Sequence, residues 1–457
     1  MVLPPNPGRR AFLFGLPLSA WLAACASHSE LPAAPAGSKW RNWSGNLHAD
    51  PRQILSPQDE TELAAMLRRA QQPRLFGGSH SFAPLVPSDD TLISLEAFNG
   101  LLSHDTRQQT ARLRAGTRIA ACGPLLQEIG QGLINEADIN LQSLAGAIST
   151  ATHGTGLGLQ CYSGYVRALR LMLADGSTLE CSPQQHAELF HAARAGIGSI
   201  GVVTEVELQN RSAYRLRENV TVMDLRQALD TAEREKAQHR HLEFFAFPFG
   251  NKAILKRTNE AGAEPDGPEP EDDNELLELA ADTTRRFPWL NGTVQRLLGA
   301  FVADSQRSGL SYRLLASPRS VGFNEMEYAV PLADGPACLM EVVETIRRSD
   351  IQVFFPIEYR YVAADDVWLS PYYQRDCAVI SVHQYAKQDY RPLFAQIEPI
   401  LRKYRGRPHW GKLHTLQYRD LRQLYPRFDD FCRVRQQADP QGKWLNAHLR
   451  QLLQEAA

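Results

Sequence analysis

The chain has 457 residues, of which 43% are hydrophobic and 22% charged, and this ordinary globular composition excludes a wholly disordered, collagen-like or coiled-coil protein. Its formal net charge is −2, so no overall basicity recruits nucleic acid, and at roughly 100–200 residues per domain its length predicts two or three domains. Seven cysteines are too few for a disulfide scaffold, and without a C-x-x-C pair we expect no metal site of the common zinc spacing.

The first 25 residues have the features of an export signal. Arg9 and Arg10 precede an apolar run from Ala11 to Ala24, which is shorter than the ~20 residues that span a membrane. The stretch resembles a twin-arginine signal, and its end resembles a lipobox in which Cys25 is lipidated. We therefore expect a signal over residues 1–25, a tether over residues 26–40, and export through the twin-arginine machinery to a membrane-anchored, periplasmic location. The alternatives are an unstructured start and a short core helix.

The next part of the chain mixes helices, short strands and glycine-rich loops. Ser56-Pro57 before three acidic residues predicts a helix with the serine as N-cap. The same pattern at Ser182-Pro183 predicts a helix that runs through Phe190 and ends near Gly196. Asp175-Gly176 predicts a hairpin turn. The predicted strands are Arg74–Phe76, Val166–Ala174 and Val202–Leu208.

After about residue 211 the pattern changes to longer helices, each beside a strand. The predicted helices are Met223–His239, Leu332–Arg348 and Tyr390–Tyr404. The predicted strands are His241–Pro248, Ala253–Arg257, Val353–Val362 and Ala378–Gln384, and the first two join around Gly250-Asn251. Residues 261–275, rich in acids, proline and glycine, predict a solvated loop. This pattern indicates an α+β architecture with an antiparallel sheet.

Three glycine-rich loops are the candidates for a cofactor site: Phe76–Phe82, Ser143–Gly156 and Gly196–Gly201. Glycine lets a backbone turn and approach an anion closely, and the hydroxyl groups of the second loop suit a flat polar ligand. The third loop matches G-x-G-x-x-G, but a helix precedes it and a strand follows it, which excludes an NAD-type Rossmann site. Each loop alone could be an ordinary turn; three within one domain favour a shared ligand.

Together these loops resemble the FAD-binding domain of the vanillyl-alcohol-oxidase flavoprotein superfamily. Further motifs resemble its sugar-lactone and alditol oxidases, and they are Phe244–Pro248, Asn324–Tyr328, Arg407–Lys412 and Asp439–Asn446. The resemblance implies a two-domain FAD-binding fold of the PCMH type with an α+β cap domain. Residues 41–211 are then expected to bind FAD. Residues 212–457 are expected to form the substrate domain, with a C-terminal segment that returns to the flavin.

The resemblance also implies that FAD is attached covalently through His80. The family's usual glycine before this histidine is Ser79 here, and His153 is expected to support backbone near the flavin. Without the resemblance, His80 could be a loop histidine that caps its own backbone. The expected cofactor-binding residues are Gly77, Gly78, Ser79, His80, Ser81, Phe82, Ser143, Gly146, Ala147, Ser149, Thr150, Thr152, His153, Gly154, Thr155, Gly198, Gly201, Val202 and Val203.

The expected catalytic residues lie in the second half of the chain. Glu358 and Arg360 are two apart on a predicted strand and therefore share one face, as a catalytic pair or as an ion pair on a solvated strand. The resemblance places this Glu-x-Arg pair at the flavin and brings Lys412 to the isoalloxazine, whereas Lys412 taken alone would be a surface lysine. His383 matches a histidine of the alditol oxidases more loosely.

The implied reaction is oxidation of a CH–OH group of a sugar lactone, such as D-arabinono-1,4-lactone or gulonolactone, with hydride transfer to flavin N5. An alditol or polyol substrate stays open. So does the electron acceptor, which is oxygen for an oxidase and a quinone or cytochrome for a dehydrogenase. A non-catalytic sugar-binding lipoprotein is the alternative from another class, and it would lack a yellow colour that bleaches with substrate.

Overall fold

The computed structural model describes residues 39–267, 274–301, 304–317 and 320–455. The expected signal, its lipidation site Cys25 and the tether up to residue 38 lie outside the described residues. The six cysteines in the described ranges are free thiols. No helix in those ranges is both long enough and apolar enough to cross a membrane.

The helices of the described ranges are α1 (Glu60–Arg69), α2 (Ile119–Glu128), α3 (Leu144–Ser149), α4 (Ala187–Ala193), α5 (Leu225–Glu235), α6 (Asn274–Arg286), α7 (Asn291–Phe301), α8 (Ser311–Leu314), α9 (Gly335–Arg348), α10 (Arg391–Lys403), α11 (Tyr418–Leu424), α12 (Phe428–Ala438) and α13 (Ala447–Leu453). Single 3-10 turns lie at Tyr162–Tyr165, Pro288–Leu290 and Leu332–Asp334.

The strands of the same ranges are β1 (Trp40–Arg41), β2 (His48–Ala49), β3 (Gln53–Leu55), β4 (Pro73–Phe76), β5 (Thr91–Ser94), β6 (Leu101–Asp105), β7 (Thr110–Arg114), β8 (Gln131–Gly132), β9 (Val166–Met172), β10 (Thr178–Cys181), β11 (Val202–Gln209), β12 (Arg211–Ser212), β13 (Arg215–Asp224), β14 (His241–Phe247), β15 (Lys252–Ala261), β16 (Ser305–Leu310), β17 (Phe323–Pro331), β18 (Ile357–Val362), β19 (Cys377–Tyr385) and β20 (Arg407–Pro408).

The strands form two main sheets that use separate parts of the chain. A five-stranded antiparallel sheet has the order β10-β9-β11-β7-β6, and an eight-stranded antiparallel sheet has the order β16-β13-β15-β14-β18-β19-β17-β20. The parallel sheet β3-β5-β4 and the ribbons β1-β2 and β12-β8 complete the set in the described ranges. The predicted α+β class and the antiparallel sheet after residue 211 are confirmed.

The eight-stranded sheet has an apolar face and a charged face. Along β17, Met326 and Tyr328 belong to the main hydrophobic core, into which helices α9 and α10 also pack. Their neighbours Glu325 and Glu327 point to the opposite face, because side chains alternate along a strand. Both faces of β17 and β18 are buried, so the charged face is a protein interior rather than a solvated surface.

Two helices begin later than the Ser-Pro pattern predicts. The N-cap of α1 is Asp59, whose carboxylate accepts a hydrogen bond from Glu62 N at 2.9 Å, so the assignment of Ser56 was wrong. Helix α4 begins only at Ala187. The Ser182 hydroxyl instead accepts hydrogen bonds from the backbone N–H groups of Gln184 and Gln185, at 3.3 and 3.1 Å. Serine satisfies a tight turn as readily as a helix start, and the turn prevails here.

Other boundaries also move, for reasons of tertiary contact. Met223 belongs to β13, where it pairs with Ala253, so helix α5 is shorter than predicted. The segment from Val353 to Pro356 is not a strand. The Gln295 side-chain amide donates hydrogen bonds to the Val353 and Phe354 carbonyls at 2.8 and 3.2 Å, in place of a neighbouring strand.

The acidic loop also differs from its prediction. In the described part of the loop, Glu264 and Asp266 pair with Arg217 and Arg215, so these acids are not freely solvated. Residues 268–273 of that loop lie outside the described ranges.

Candidate active site

A cavity of about 1180 Å³ is lined by residues from both main parts of the chain. Its volume exceeds the roughly 300–1,000 Å³ of an ordinary small-molecule pocket, as a dinucleotide cofactor requires. The predicted cofactor residues that line it are Gly77, Gly78, Ser79, His80, Ser81, Ser143, Gly146, Ser149, Thr150, Thr152, His153, Gly198, Gly201, Val202 and Val203. The three glycine-rich loops therefore meet at one cavity.

Four predicted cofactor residues lie behind the wall instead. Ala147 is buried in the main core, and Phe82 belongs to a separate aromatic cluster. Gly154 packs against the backbone carbonyl of Glu136, and the Thr155 hydroxyl donates to Leu242 O at 2.6 Å. Ala147, Gly154 and Thr155 hold the second loop against the neighbouring core and strand β14.

The backbones of the three loops pack closely together, so that a flat cofactor such as FAD can lie against them. Gly198 has φ of +65°, and the Ser143 hydroxyl occupies the place that a Cβ on Gly77 would need. The buried Arg74 guanidinium donates to the carbonyls of Leu85, Gly198 and Trp444, which joins the first loop to the third and to the C-terminal motif. The resulting wall of backbone and hydroxyl groups fits a long, flat, polar cofactor.

His80 lies in the cavity as a neutral, accessible ring. Its imidazole stacks on Trp43 with a centroid distance of 5.4 Å, and Ser79 before it has φ of 55°. The unfavourable φ explains why a glycine suits this position; here the indole N–H of Trp40 donates to the Ser79 hydroxyl at 3.1 Å. Burial, with the charges of Lys412 and Arg118, lowers the pKa of His80 to about 4. The ring therefore keeps a free lone pair at neutral pH.

Lys412 is bound to a glutamate of the sheet. Its ammonium pairs with Glu325 Oε2 and lies 5.2 Å from the centre of the Phe82 ring. Burial would raise the pKa of Glu325, but the charges of Lys412 and His383 outweigh it and hold that pKa at about 2. Lys412 lines the cavity with 18% of its side chain exposed, so it is not a surface lysine.

His153 and Glu327 form a second buried pair. Its Nδ1 lies 2.7 Å from the Gly154 carbonyl, which only accepts, and its Nε2 lies 2.9 Å from Glu327 Oε1. The other Glu327 oxygen accepts from the Ser381 hydroxyl at 2.9 Å. Burial alone would raise the pKa of Glu327, but His153 and His409 hold it well below its usual range. The His153 ring is therefore held between the Gly154 carbonyl and the Glu327 carboxylate.

Glu358 and Arg360 lie on one buried face of β18, as the spacing predicted, so the alternative of a solvated strand is wrong. Arg360 Nη2 is 2.6 Å from Glu358 Oε1, and its Nε is 2.8 Å from Glu243 Oε2. Burial opposes the charge of Arg360, but Glu358 and Glu243 more than offset it and raise its pKa. Burial, with the charge of Glu243, raises the pKa of Glu358 despite its arginine partner.

His383 completes the predicted group and lies opposite Glu325 in the β17–β19 ladder. Its Nε2 is 3.6 Å from Glu325 Oε1, and its Nδ1 is 3.2 Å from the Pro356 carbonyl. Glu358, Arg360, His383 and Lys412 all line the cavity. Ligand atoms of Glu325, Glu358 and His383 lie within 4.8 Å of one another, but Lys412 and Arg360 already pair with these carboxylates, and we assign no metal to them.

Sequence reasoning missed several charged residues of the cavity wall. Titratable residues of the wall that were not predicted as site residues include Glu325, Glu327, His409, Lys256 and Arg307. The first two were within reach, because glutamates two apart on an otherwise apolar strand share a face. Lys256 and Arg307 carry no such signal, since only the sheet order places them beside Glu243 and Glu218.

Comparison with known proteins identifies the family. The FAD binding domain profile matches residues 51–182, and the D-arabinono-1,4-lactone oxidase profile matches residues 206–452. The chain is 34% identical to L-gulono-1,4-lactone dehydrogenase of Mycobacterium tuberculosis over 426 residues, which cover 91% of this chain and 99% of that protein. It is 27% identical to mouse (Mus musculus) L-gulonolactone oxidase and 29% to a Streptomyces alditol oxidase, each match covering 90% of this chain and 98% of the relative.

Among solved structures, the cholesterol oxidase of B. sterolicum superposes with a TM-score of 0.78 at 16% identity, covering 93% of this chain and 100% of that chain. This likeness concerns the fold. The predicted two-domain FAD-binding fold, the FAD cofactor and the class of flavin-dependent oxidoreductase are confirmed. On these matches, the chain belongs to the D-arabinono-1,4-lactone oxidase family.

Proposed function

We propose that this protein oxidises a CH–OH group of a sugar lactone, at the end of the cavity where Lys412, Glu358 and Arg360 meet the His80 loop. The observation that carries the proposal is the contact between these two regions. Lys412 lies over the ring of Phe82, two residues after His80, and its charge contributes to the lowered pKa of His80. The charged face of the eight-stranded sheet and the cofactor loop therefore form one site.

Each charged group has a distinct role in this proposal. Glu358 accepts the hydroxyl proton of the substrate, because burial makes its carboxylate more basic than usual. Arg360 donates hydrogen bonds to substrate oxygens and keeps Glu358 in place. Bound FAD supplies the hydride acceptor. Lys412 places a positive charge where negative charge develops, and His383 supports it through Glu325.

Residues 41–211 bind the FAD in this proposal, with a covalent bond to His80, and residues 212–457 hold the substrate. The C-terminal segment closes the cofactor end, where the Trp444 carbonyl accepts from Arg74 at 2.5 Å. The twin arginines at residues 9–10 and Cys25 support export to the periplasm and a lipid anchor.

The substrate and the acceptor are the finer parts of the proposal. A lactone is favoured because the family profile and the 34%-identical relative are named for lactones, whereas an alditol is favoured by one 29%-identical relative. The names of the relatives include both a dehydrogenase and an oxidase, so oxygen, a quinone and a cytochrome are all tested as acceptors.

The test is anaerobic bleaching of the purified yellow protein by a panel of aldonolactones and alditols. We expect lactones to bleach the flavin fastest. Lys412→Met should slow this step, whereas the control Lys252→Met, at a partly exposed lysine outside the cavity wall, should not. Fastest bleaching by alditols would replace the lactone assignment, and a colourless protein that binds sugars would favour the non-catalytic alternative. Reoxidation by air, quinone or cytochrome then identifies the acceptor.

A further inference from the structure

We propose that the turn between helices α6 and α7 is a docking surface for an anionic lipid membrane. The two helices and the turn Pro288–Leu290 form a hairpin over residues 274–301. The exposed large apolar residues of the described ranges are Ile54, Leu102, Leu141, Leu279, Trp289 and Leu297, and the last three lie in this hairpin. Trp289 is 74% exposed, far more than the others. Most of this indole, at the tip of the turn, is not covered by any of the described residues.

The inner face of the hairpin, in contrast, packs against the rest of the protein. Ala281, Leu277 and Val294 pack into a cluster with Phe323, Phe354 and Phe355, and Leu277 also lines the cavity. The Gln295 side chain fixes α7 to the Val353 and Phe354 carbonyls at 2.8 and 3.2 Å. These contacts hold the hairpin in place without Trp289, and its turn projects into solvent.

Basic residues surround the apolar turn. Arg285, Arg286 and Arg296 are exposed, and the guanidinium of Arg286 lies 5.8 Å from the centre of the Phe287 ring. That ring meets Trp289 edge to face at 5.2 Å. Arg285 pairs with Asp282 at 3.4 Å, whereas Arg286 and Arg296 have no carboxylate within 4.0 Å among the described residues.

A tryptophan among arginines suits the border of a bilayer. The indole prefers the headgroup region, because its apolar ring can contact the acyl chains while its N–H stays hydrated. Guanidinium groups without a carboxylate partner attract anionic headgroups. A protein partner of matching shape would instead need acidic groups placed opposite these arginines. An exposed indole beside arginines matches an anionic lipid surface, which needs no precisely placed acidic groups.

The start of the described chain packs near the base of the hairpin. Trp43, four residues after Lys39, packs against the aromatic cluster that also holds the inner face of the hairpin. The 14 residues from Cys25 to Lys39 reach at most about 50 Å. If Cys25 is lipidated as proposed above, the anchor and the turn can therefore meet one membrane; the docking argument itself does not need the anchor.

The test uses the full chain with Cys25→Ala, so that no acyl anchor contributes. Its binding to phosphatidylcholine vesicles with and without phosphatidylglycerol is measured by sedimentation. We expect binding that requires phosphatidylglycerol and weakens with salt. Trp289→Ser should weaken it at least ~10-fold, as burial of a large apolar side chain implies, and Arg286→Ala and Arg296→Ala about fivefold each. Leu102→Ser, at an apolar residue of similar exposure to Leu279 but on β6, is the matched control.

Absence of vesicle binding, or binding that Trp289→Ser leaves unchanged, would overturn the proposal. So would sedimentation equilibrium showing that Trp289→Ser converts a dimer to a monomer without any vesicle binding, which would make the turn a contact between copies. FAD content and lactone turnover in solution should be the same in Trp289→Ser as in the parent. A failed docking test therefore leaves the proposed reaction standing, and a failed lactone assay leaves the docking test valid.

Discussion

Lys412 and Glu325 are joined twice, through their side chains and through the backbone. The ammonium pairs with Glu325 Oε2, and the N–H of the next residue, Leu413, donates to the Glu325 carbonyl at 2.9 Å. The loop that carries the cation is thus fixed to strand β17. A charge held in this way needs no reorganisation when negative charge develops beside it, which is the condition for electrostatic stabilisation of a transition state.

Lys412→Met should lower the rate of flavin reduction on the order of 10²–10³-fold, with a smaller effect on substrate binding. Anaerobic stopped-flow reduction over a range of substrate concentrations separates the two. Because the single variant leaves the buried Glu325 carboxylate without its ammonium partner, the double variant Lys412→Met with Glu325→Gln removes both charges and serves as the check on folding. Near parent-like reduction in both variants would mean that the cation is not at the reacting centre.

Glu358→Gln should remove the acidic limb of the pH profile. In its proposed role as base, Glu358 acts only when ionised, and burial raises its pKa, so activity of the parent should rise with pH through a value above the ordinary range of a glutamate. In the variant this rise should vanish and the rate should fall by roughly 10²–10⁴. The measurement is kcat against pH, with Glu358→Asp as the conservative control. A glutamine variant that keeps the same limb would assign the titration to another group.

His80→Ala should abolish covalent attachment of the flavin. The ring is neutral at pH 7, since burial and neighbouring cations hold its pKa at about 4, and it is aligned by stacking on Trp43. Acid denaturation should leave flavin in the pellet of the parent protein and release it from the variant. His153→Ala is the comparison, because that ring pairs with Glu327 and should not carry the bond. Free FAD in the supernatant of the parent would refute the attachment.

Glu136→Gln should stabilise the protein increasingly as the pH rises from 5 to 8. Burial raises the pKa of this carboxyl to about 8, and its Oε1 has no hydrogen-bond partner among the described residues. The stability that depends on the neutral form is complete below the unfolded pKa of about 4.5 and is lost as pH rises toward 8. The difference in free energy of unfolding between the variant and the parent should grow by about 1.4 kcal/mol per pH unit.

Thermal or denaturant unfolding of the holoprotein at several pH values measures this gap. Glu128→Gln, at an exposed glutamate on α2, is the matched control. A pH-independent gap for Glu136→Gln would show that this carboxyl is not neutral in the folded state.

If the export signal is of the proposed twin-arginine type, replacing Arg9 and Arg10 together by lysine should trap the protein in the cytoplasm, because such a signal is read as a pair. Cys25→Ala should allow export but prevent lipidation and anchoring. Cell fractionation with detection of the flavoprotein measures both variants. Normal export of the double lysine variant, in an unfolded state by another route, would contradict the assignment.

The sequence alone determined the parts that depend on local pattern. The position of the three glycine-rich loops, the helix before the third loop and the strand after it all follow from short-range signals. The shared face of Glu358 and Arg360 follows from the period of a strand. Where one local signal permits two structures, as at Ser56-Pro57 and Ser182-Pro183, the sequence could not choose between a helix start and a turn.

The tertiary structure alone decided which charges pair. Lys412 meets Glu325 across 87 residues of sequence, and His153 meets Glu327 across 174. Neither pair leaves a periodic signal, because sheet order and the loop after β20 bring the partners together. The same holds for Lys256 and Arg307, which reach the cavity through the order of the eight strands. Burial then changes the chemistry of these groups: it raises the pKa of Glu358, whereas neighbouring charges hold the pKa values of Glu325 and Glu327 below their usual range.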